Sequence, residues 1–498
     1  MKNTPDNINS PLAVEARNAL WILASSTFVW QVISWGLTIL TLRVLEPSDY
    51  GVMALAETLV PYLTMAASFD LMTWIIQEAH FDKAKERQMF SLNMLLGASL
   101  SIIAAVLAPL MASFYNSEEL EAPLLAIAGT FVIRSAAVVP DAMLRRELKF
   151  GSIATMNFCV GVSRGVLQYV LAVFGLGYWA LVIGFVYRDI VSSVWLLCLR
   201  GLPRGFAWNG ELYKKALKFG LPSTVATLCW IVFSSIDNVL VGRLLGAEVL
   251  GYYAMAFYFS DLPLSKINSV LRPVLIPYYS KLKSDSEALK SAFLRSVEGV
   301  LAVALPFIAG LGVIAEEAVE PLLGERWRLM ITPLEVMAAI GLMRALMNNA
   351  TPLFLALGKP RYELQCNLAG ALVLPPAFYV AGSFFGLNGF YACWLIIMPF
   401  LSLLILKYLK TAIKITSLEY FRAILPALSG VLVMVFVTSL FSALCARSIG
   451  PLGVAVGKIL LGSVSYFLVL WIFYRRDLLN LVVSLGVSSR LTTANAVS

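Results

Sequence analysis

The chain has 498 residues, 59% of them hydrophobic and only 14% charged, whereas a soluble domain is about one-quarter charged. That balance excludes an ordinary water-soluble enzyme. The formal net charge of +8 does not point to nucleic acid either, because the cations fall mainly in alternate loops, as expected of membrane orientation.

Residues 1–18 are polar and mixed in charge, and no cleavable leader is expected there. The first apolar stretch, 19–42, is of full membrane length, about 20 residues being enough to span the hydrocarbon core. Further stretches follow at 51–76, 90–115, 121–144, 150–174, 177–199, 216–242, 248–276, 291–315, 331–357, 362–385, 388–409, 421–445 and 452–474. They are long and continuously apolar rather than alternating, which excludes a strand-built barrel. The expected fold is all-α: a polytopic membrane protein of about fourteen transmembrane helices.

The connections set its orientation. Lys83, Lys85 and Arg87, then Arg145, Arg146 and Lys149, then Lys214, Lys215 and Lys218 all lie in even-numbered connections. The odd ones hold few cations, and acids such as Glu118, Glu119, Glu316 and Glu320. Cations concentrate on the cytoplasmic side, so both termini are placed in the cytoplasm.

The chain also repeats itself. Arg43, Leu45, Gly51, Ala54 and Ala56 recur, at a constant offset, as Arg243, Leu245, Gly251, Ala254 and Ala256. Each copy joins the first two helices of a six-helix block, which predicts two parallel, pseudo-symmetric lobes. The expected division is 1–200 and 201–410 for the lobes, and 411–498 for two added helices and a tail.

Several spans carry polar residues three and four apart, which stack on one helical face. Thr27, Gln31, Ser34, Thr38 and Thr41 form such a stripe in the first span, as do Asp261, Ser265, Asn268 and Arg272 in the eighth. Small and hydroxyl residues of this kind also serve as helix–helix glue. The charged members are harder to place. Arg134, Arg164, Arg188, Lys266 and Arg344 fall near mid-span, where each would cost about 2.5–3.5 kcal/mol facing lipid. They are expected to face the bundle interior, an ion partner or water. Glu57, Asp70, Asp141, Asp237, Asp261 and Glu298 are candidates for coupling to an ion, with Asp261 foremost because it stands two residues before Pro263. The alternative is internal salt-bridging between acids and bases, for example Arg134 with Asp141 and Arg188 with Asp189 or another helix's acid. Arg43 and Arg243 are either a gate or helix C-terminal caps. The eighth span also holds Pro263, Pro273 and Pro277, each of which invites a kink.

No nucleophile motif, phosphate-cradling Gly-rich loop or ATPase motif is present. The six cysteines lie in apolar segments without a CxxC pair, and the lone His80 sits in a charged loop. No cofactor and no metal are expected. Transport is the favoured class, with a membrane-embedded glycosyltransferase or polymerase as the alternative.

The residues themselves narrow the class. Ser235, Asp237, Asn238, Gly242, Arg243, Gly246 and Gly251, followed by Leu262, Pro263, Ser265, Pro277, Ser280 and Lys281, form one ordered set of motifs. Arg43, Leu45, Pro47, Asp49 and Gly51, with Arg146, Lys149 and Phe150 and then Gly177, Trp179 and Ala180, form another. Together they resemble the lipopolysaccharide and exopolysaccharide translocases of the Wzx type, in the superfamily of multidrug, oligosaccharidyl-lipid and polysaccharide exporters. The resemblance spans at least residues 20–285. It implies a flippase for undecaprenyl-diphosphate-linked oligosaccharide in the bacterial inner membrane, with two lobes forming a V around a central cavity and alternating in access. It also implies a monomer in contact with membrane lipids, and a polymerase and chain-length regulator of the same pathway as partners. A cation-coupled drug antiporter of the same superfamily is the nearer alternative. On the flippase reading Arg134, Arg164, Lys266, Arg272 and Arg344 would form a cationic cavity for the diphosphate, since Arg offers a planar fork to phosphate oxygens.

Overall fold

The computed structural model describes residues 33–68, 71–78, 80–201, 205–445 and 449–484, and among them there is no β-strand. The predicted first span therefore lies largely outside the described residues, as does Asp70. Two compact units divide the chain, one of 1–49 and 59–224 and the other of 50–58 and 225–498.

The first unit holds α1 (Ile33–Val44), most of α2 (Pro47–Ser68), α3 (Leu71–Gln77), α4 (Lys83–Tyr115), α5 (Glu121–Arg146), α6 (Phe150–Val173) and α7 (Tyr178–Arg200). It also takes the first turns of α8 (Gly210–Leu245). α5 is its hub, packing against α3, α4 and α7, and α6 lies along α7. Asp82 starts α4 by accepting a hydrogen bond from the Lys85 amide at 2.8 Å, and Asn116 ends it in the left-handed conformation at φ 52°.

The second unit holds the rest of α8, then α9 (Ala247–Leu282), α10 (Ser286–Val313), α11 (Ala315–Leu323), α12 (Ile331–Asn348), α13 (Ala350–Ala356), α14 (Pro360–Phe385), α15 (Leu387–Ile413), α16 (Ser417–Cys445) and α17 (Pro451–Ser484). α10 packs against α9, α12 and α16, while α14 pairs with α15 and α16 with α17. Its core runs through Phe293, Val297, Leu301 and Leu305 of α10, with Tyr420 and Ile424 of α16 packed on them. The short piece Tyr50–Thr58 belongs here: the Tyr50 ring meets Trp327 edge-on at 5.5 Å, and Tyr252 meets the same indole at 6.0 Å.

Eleven helices among the described residues are long and apolar enough to cross a membrane. The surface of α4 shows what that means. Leu100, Ala104 and Ala108 are buried along one face, while Ile102, Val106 and Leu110 are 66%, 62% and 57% exposed along the other. An apolar stripe of this kind would drive association in water, but it is the natural surface toward hydrocarbon. The chain is thus an all-helical, multi-pass membrane protein. α2 and α9 coincide with two more predicted spans but are not among the eleven. α9 carries Glu248, Asp261, Lys266, Arg272 and Lys281, which lower its mean hydropathy. It also runs unbroken through Pro263, Pro273 and Pro277. The tenth predicted span is continuous in length but contains a one-residue turn at Asn349 between α12 and α13, where the backbone stays helical at φ −71° and ψ −18°.

Candidate functional site

Within the second unit, polar side chains gather between apolar helices in three places. On α8, Asp237 is only 1% exposed. Its Oδ2 accepts from the Tyr253 hydroxyl of α9 at 2.7 Å and from Trp394 Nε1 of α15 at 3.2 Å, and its Oδ1 accepts from the Asn238 amide at 2.9 Å. A carboxyl group buried this deeply is tolerable because each oxygen is hydrogen-bonded. Phe233 and Phe378 wall the Trp394 ring edge-on.

The second place joins α9 to α12. Asp261 and Phe257 are four residues apart and share a helical face. Arg344 lies between them, its guanidinium 3.3 Å from Asp261 Oδ1 and 4.5 Å from the Phe257 ring centroid. Asp261, foremost among the expected coupling residues, is therefore salt-bridged.

The third is a cavity of about 40 Å³ at the α12–α13 turn, with Trp230, Phe233, Arg344, Thr351, Glu363 and Asn367 in its wall. Pro352, one turn on, has no N–H to give the Asn348 carbonyl. The Asn349 side chain takes up the Ala345 carbonyl at 2.9 Å. Glu363 lies within hydrogen-bond reach of Thr351 and within electrostatic reach of Arg272. A larger hollow of about 540 Å³, lined by groups such as Leu346, Leu406 and Phe421, is apolar and shares Met347 and Ile405 with the small cavity.

The first unit has a cluster of its own. Asp189 of α7 is buried and stands 3.1 Å from Arg188 and 3.7 Å from Arg134 of α5. Arg188 also caps the Phe185 ring at 5.0 Å. Two guanidinium groups share one carboxylate, so the trio carries one net positive charge, and both arginines are partly exposed. Arg134 does not meet Asp141, the partner considered from the sequence. Asp141 is two turns away on α5 and binds Arg145 at 2.9 Å, its i+4 neighbour.

Arg164 is half-buried on α6, Lys266 and Arg272 are exposed on α9, Glu298 is half-buried on α10 and Glu57 is exposed on α2. Arg43 and Arg243 are exposed in the last turns of α1 and α8. Among the described residues, no three His, Cys, Asp or Glu side chains come together as metal ligands. Sequence reading missed Glu363, which stood at the edge of a predicted span, and the buried pair Lys458–Glu317, 2.5 Å apart on α17 and α11. A lone lysine inside the apolar last span was the available signal for that pair.

Comparison with known proteins places this geometry. The family model described as polysaccharide biosynthesis protein matches residues 39–332. Over 412 residues the chain is 24% identical to the lipopolysaccharide biosynthesis protein WzxC of Escherichia coli (strain K12), covering 80% of this chain and 79% of that one. It is 26% identical over 368 residues to the teichuronic acid biosynthesis protein TuaB of Bacillus subtilis (strain 168), covering 69% and 72%. Among solved structures, the lipid II flippase MurJ in an inward closed conformation superposes with a TM-score of 0.73 at 16% identity, over 92% of this chain and 99% of that chain. The two share a fold.

Proposed function

The chain belongs to the polysaccharide biosynthesis protein family, and on that premise we propose that it is a flippase. It carries undecaprenyl-diphosphate-linked oligosaccharide repeat units from the cytoplasmic to the periplasmic leaflet of the inner membrane, by alternating access. It moves its substrate without changing it covalently and is not an enzyme. Its termini face the cytoplasm, and it works as a monomer beside a polymerase and a chain-length regulator.

The observation that carries this reading is the excess of positive charge inside membrane-length helices. Arg134 and Arg188 share the single carboxylate of Asp189, and Lys266 and Arg272 are exposed on α9. A cation at membrane depth is costly unless it faces water or an anion. A diphosphate has the same difficulty with the opposite sign, and guanidinium groups match its oxygens. Arg134, Arg164, Lys266 and Arg272 are therefore assigned to the diphosphate. Arg344 is already matched by Asp261 and plays another part.

The test is substitution of Arg134, Lys266 and Arg272 by Gln, one at a time, in cells lacking the native chain, with folded protein level and exported polymer both measured. A lost charge-assisted hydrogen bond is worth about 1.5–3 kcal/mol, so export should fall about ten- to a hundredfold at normal protein level. Wild-type export by all three well-folded variants would overturn the assignment. A purified chain that joins a lipid-linked sugar donor to an acceptor would overturn the flippase reading itself.

A further inference from the structure

We propose that the cavity at the α12–α13 turn is a sugar subsite, receiving the hydroxyl-bearing edge of one neutral sugar of the lipid-linked oligosaccharide and not its diphosphate. The inference rests on the flippase reading and adds which part of the cargo this unit holds.

Charge decides against the phosphate. Arg344 in the cavity wall is paired with Asp261 at 3.3 Å, and the acid Glu363 stands in the same wall. With Arg344 matched by Asp261 and an acid, Glu363, beside it, the lining holds no unmatched cation for a phosphate. The cluster around Asp189 has the opposite character, with two cations to one acid.

The lining chemistry favours a sugar. Trp230 and Phe233 present apolar rings 5.6 Å apart, tilted by 48°, against which the C–H face of a pyranose can pack. Arg344 offers N–H donors, Glu363 offers acceptors, and Thr351 and Asn367 offer both. A hydroxyl both gives and takes a hydrogen bond, so neighbouring hydroxyls can be satisfied by such a set without leaving a buried group unmet. Size sets the limit. At about 10–15 Å³ per water-sized occupant, a cavity of about 40 Å³ takes about three heavy atoms. That is room for a hydroxymethyl group or two adjacent hydroxyls, with the ring left outside.

The turn at Asn349, whose backbone stays helical at φ −71° and ψ −18°, adjoins Ala350 and Thr351 of the cavity wall.

The experiment measures lipid binding to the purified full-length chain in detergent by native mass spectrometry. The probes are undecaprenyl diphosphate bearing no sugar, and the same lipid bearing glucose, galactose or mannose. Wild type should hold at least one sugar-bearing lipid more tightly than the bare one. Glu363→Gln and Asn367→Ala should weaken that sugar-bearing lipid about three- to tenfold, as expected for one lost hydrogen bond, while leaving the bare lipid within about twofold. Arg134→Gln should weaken both. If the cavity variants weaken both lipids equally, or neither, the subsite is wrong. The same holds if wild type binds the bare lipid and gains nothing from any of the three sugars. If wild type binds no lipid of either kind, the flippase reading falls and this inference falls with it. Should Asn367→Ala not fold, the near-isosteric Glu363→Gln carries the test alone.

Discussion

Single residues in this protein are decided by whether a buried charge has a partner. Lys458 and Glu317, with side chains only 7% and 10% exposed, are 2.5 Å apart. Lys458 also donates to the Val313 carbonyl at 3.0 Å, and Ser442 donates to Glu317 at 3.2 Å. Removing one member strands the other charge, so Lys458→Ala should cost about 3–5 kcal/mol, whereas the apolar pair Lys458→Met with Glu317→Leu should recover most of it. Melting of the purified variants in detergent checks this, and a Lys458→Ala chain as stable as wild type would show the pair to be solvated. Outside the spans, Glu78 is governed by pH. The hydrogen bond from Lys85, 2.8 Å away, holds its carboxyl below the usual 4.5, and Lys215 at 3.4 Å adds to the effect. A carboxyl lowered by folding stabilises fully above its unfolded value and loses that contribution as pH falls through its folded value. The melting-temperature gap between wild type and Glu78→Gln should therefore be constant above about pH 5.5 and shrink below 4.5. A gap that stays the same down to pH 3 would mean the ion pair is not what Glu78 contributes.

Among the helices, the internal repeat has a local counterpart. α1 ends at Val44 and α2 begins at Pro47, while α8 ends at Leu245 and α9 begins at Ala247. Both arginines of the repeat stand in the last helical turn, where a cation meets the negative end of the helix dipole. The shared glycine has a steric reason in its first copy. A Cβ on Gly51 would lie 1.8 Å from the Ala247 carbonyl oxygen, a backbone atom that cannot turn aside. Close approach of this kind needs a residue without a side chain. Gly51→Ala should destabilise the second unit by about 1–3 kcal/mol, as overpacking does, and lower the amount of folded protein in the membrane. Normal level and melting temperature for this variant would show that the contact is loose.

For the whole molecule, orientation is the property to measure. Loop charge predicts Asn116–Glu119 in the periplasm and Lys214–Lys218 in the cytoplasm. In a background without the six native cysteines, Ser117→Cys should react with a membrane-impermeant maleimide from outside and Lys214→Cys only after the membrane is opened. Labelling of Ser117→Cys from the cytoplasmic side alone would overturn the orientation. Much of the architecture was legible in the chain because hydropathy and loop charge are sums over neighbouring residues. Helices thus appear at the predicted spans wherever they are described. Even there, neighbours did not suffice for every element: α9 has the length of a span, but its charges leave it outside the eleven apolar helices. The polar interior was legible only as a list of residue types. Arg134 meets Asp189 rather than Asp141, Arg344 is matched by Asp261, and Glu363 shares a wall with Trp230 and Asn367. Such pairings join residues many positions apart through distances of 3–4 Å, and Coulomb and hydrogen-bond energies fall away over that scale. Composition and periodicity could say that these charges had to be satisfied inside the bundle; only the packing of helices distant in the chain decided by which partners.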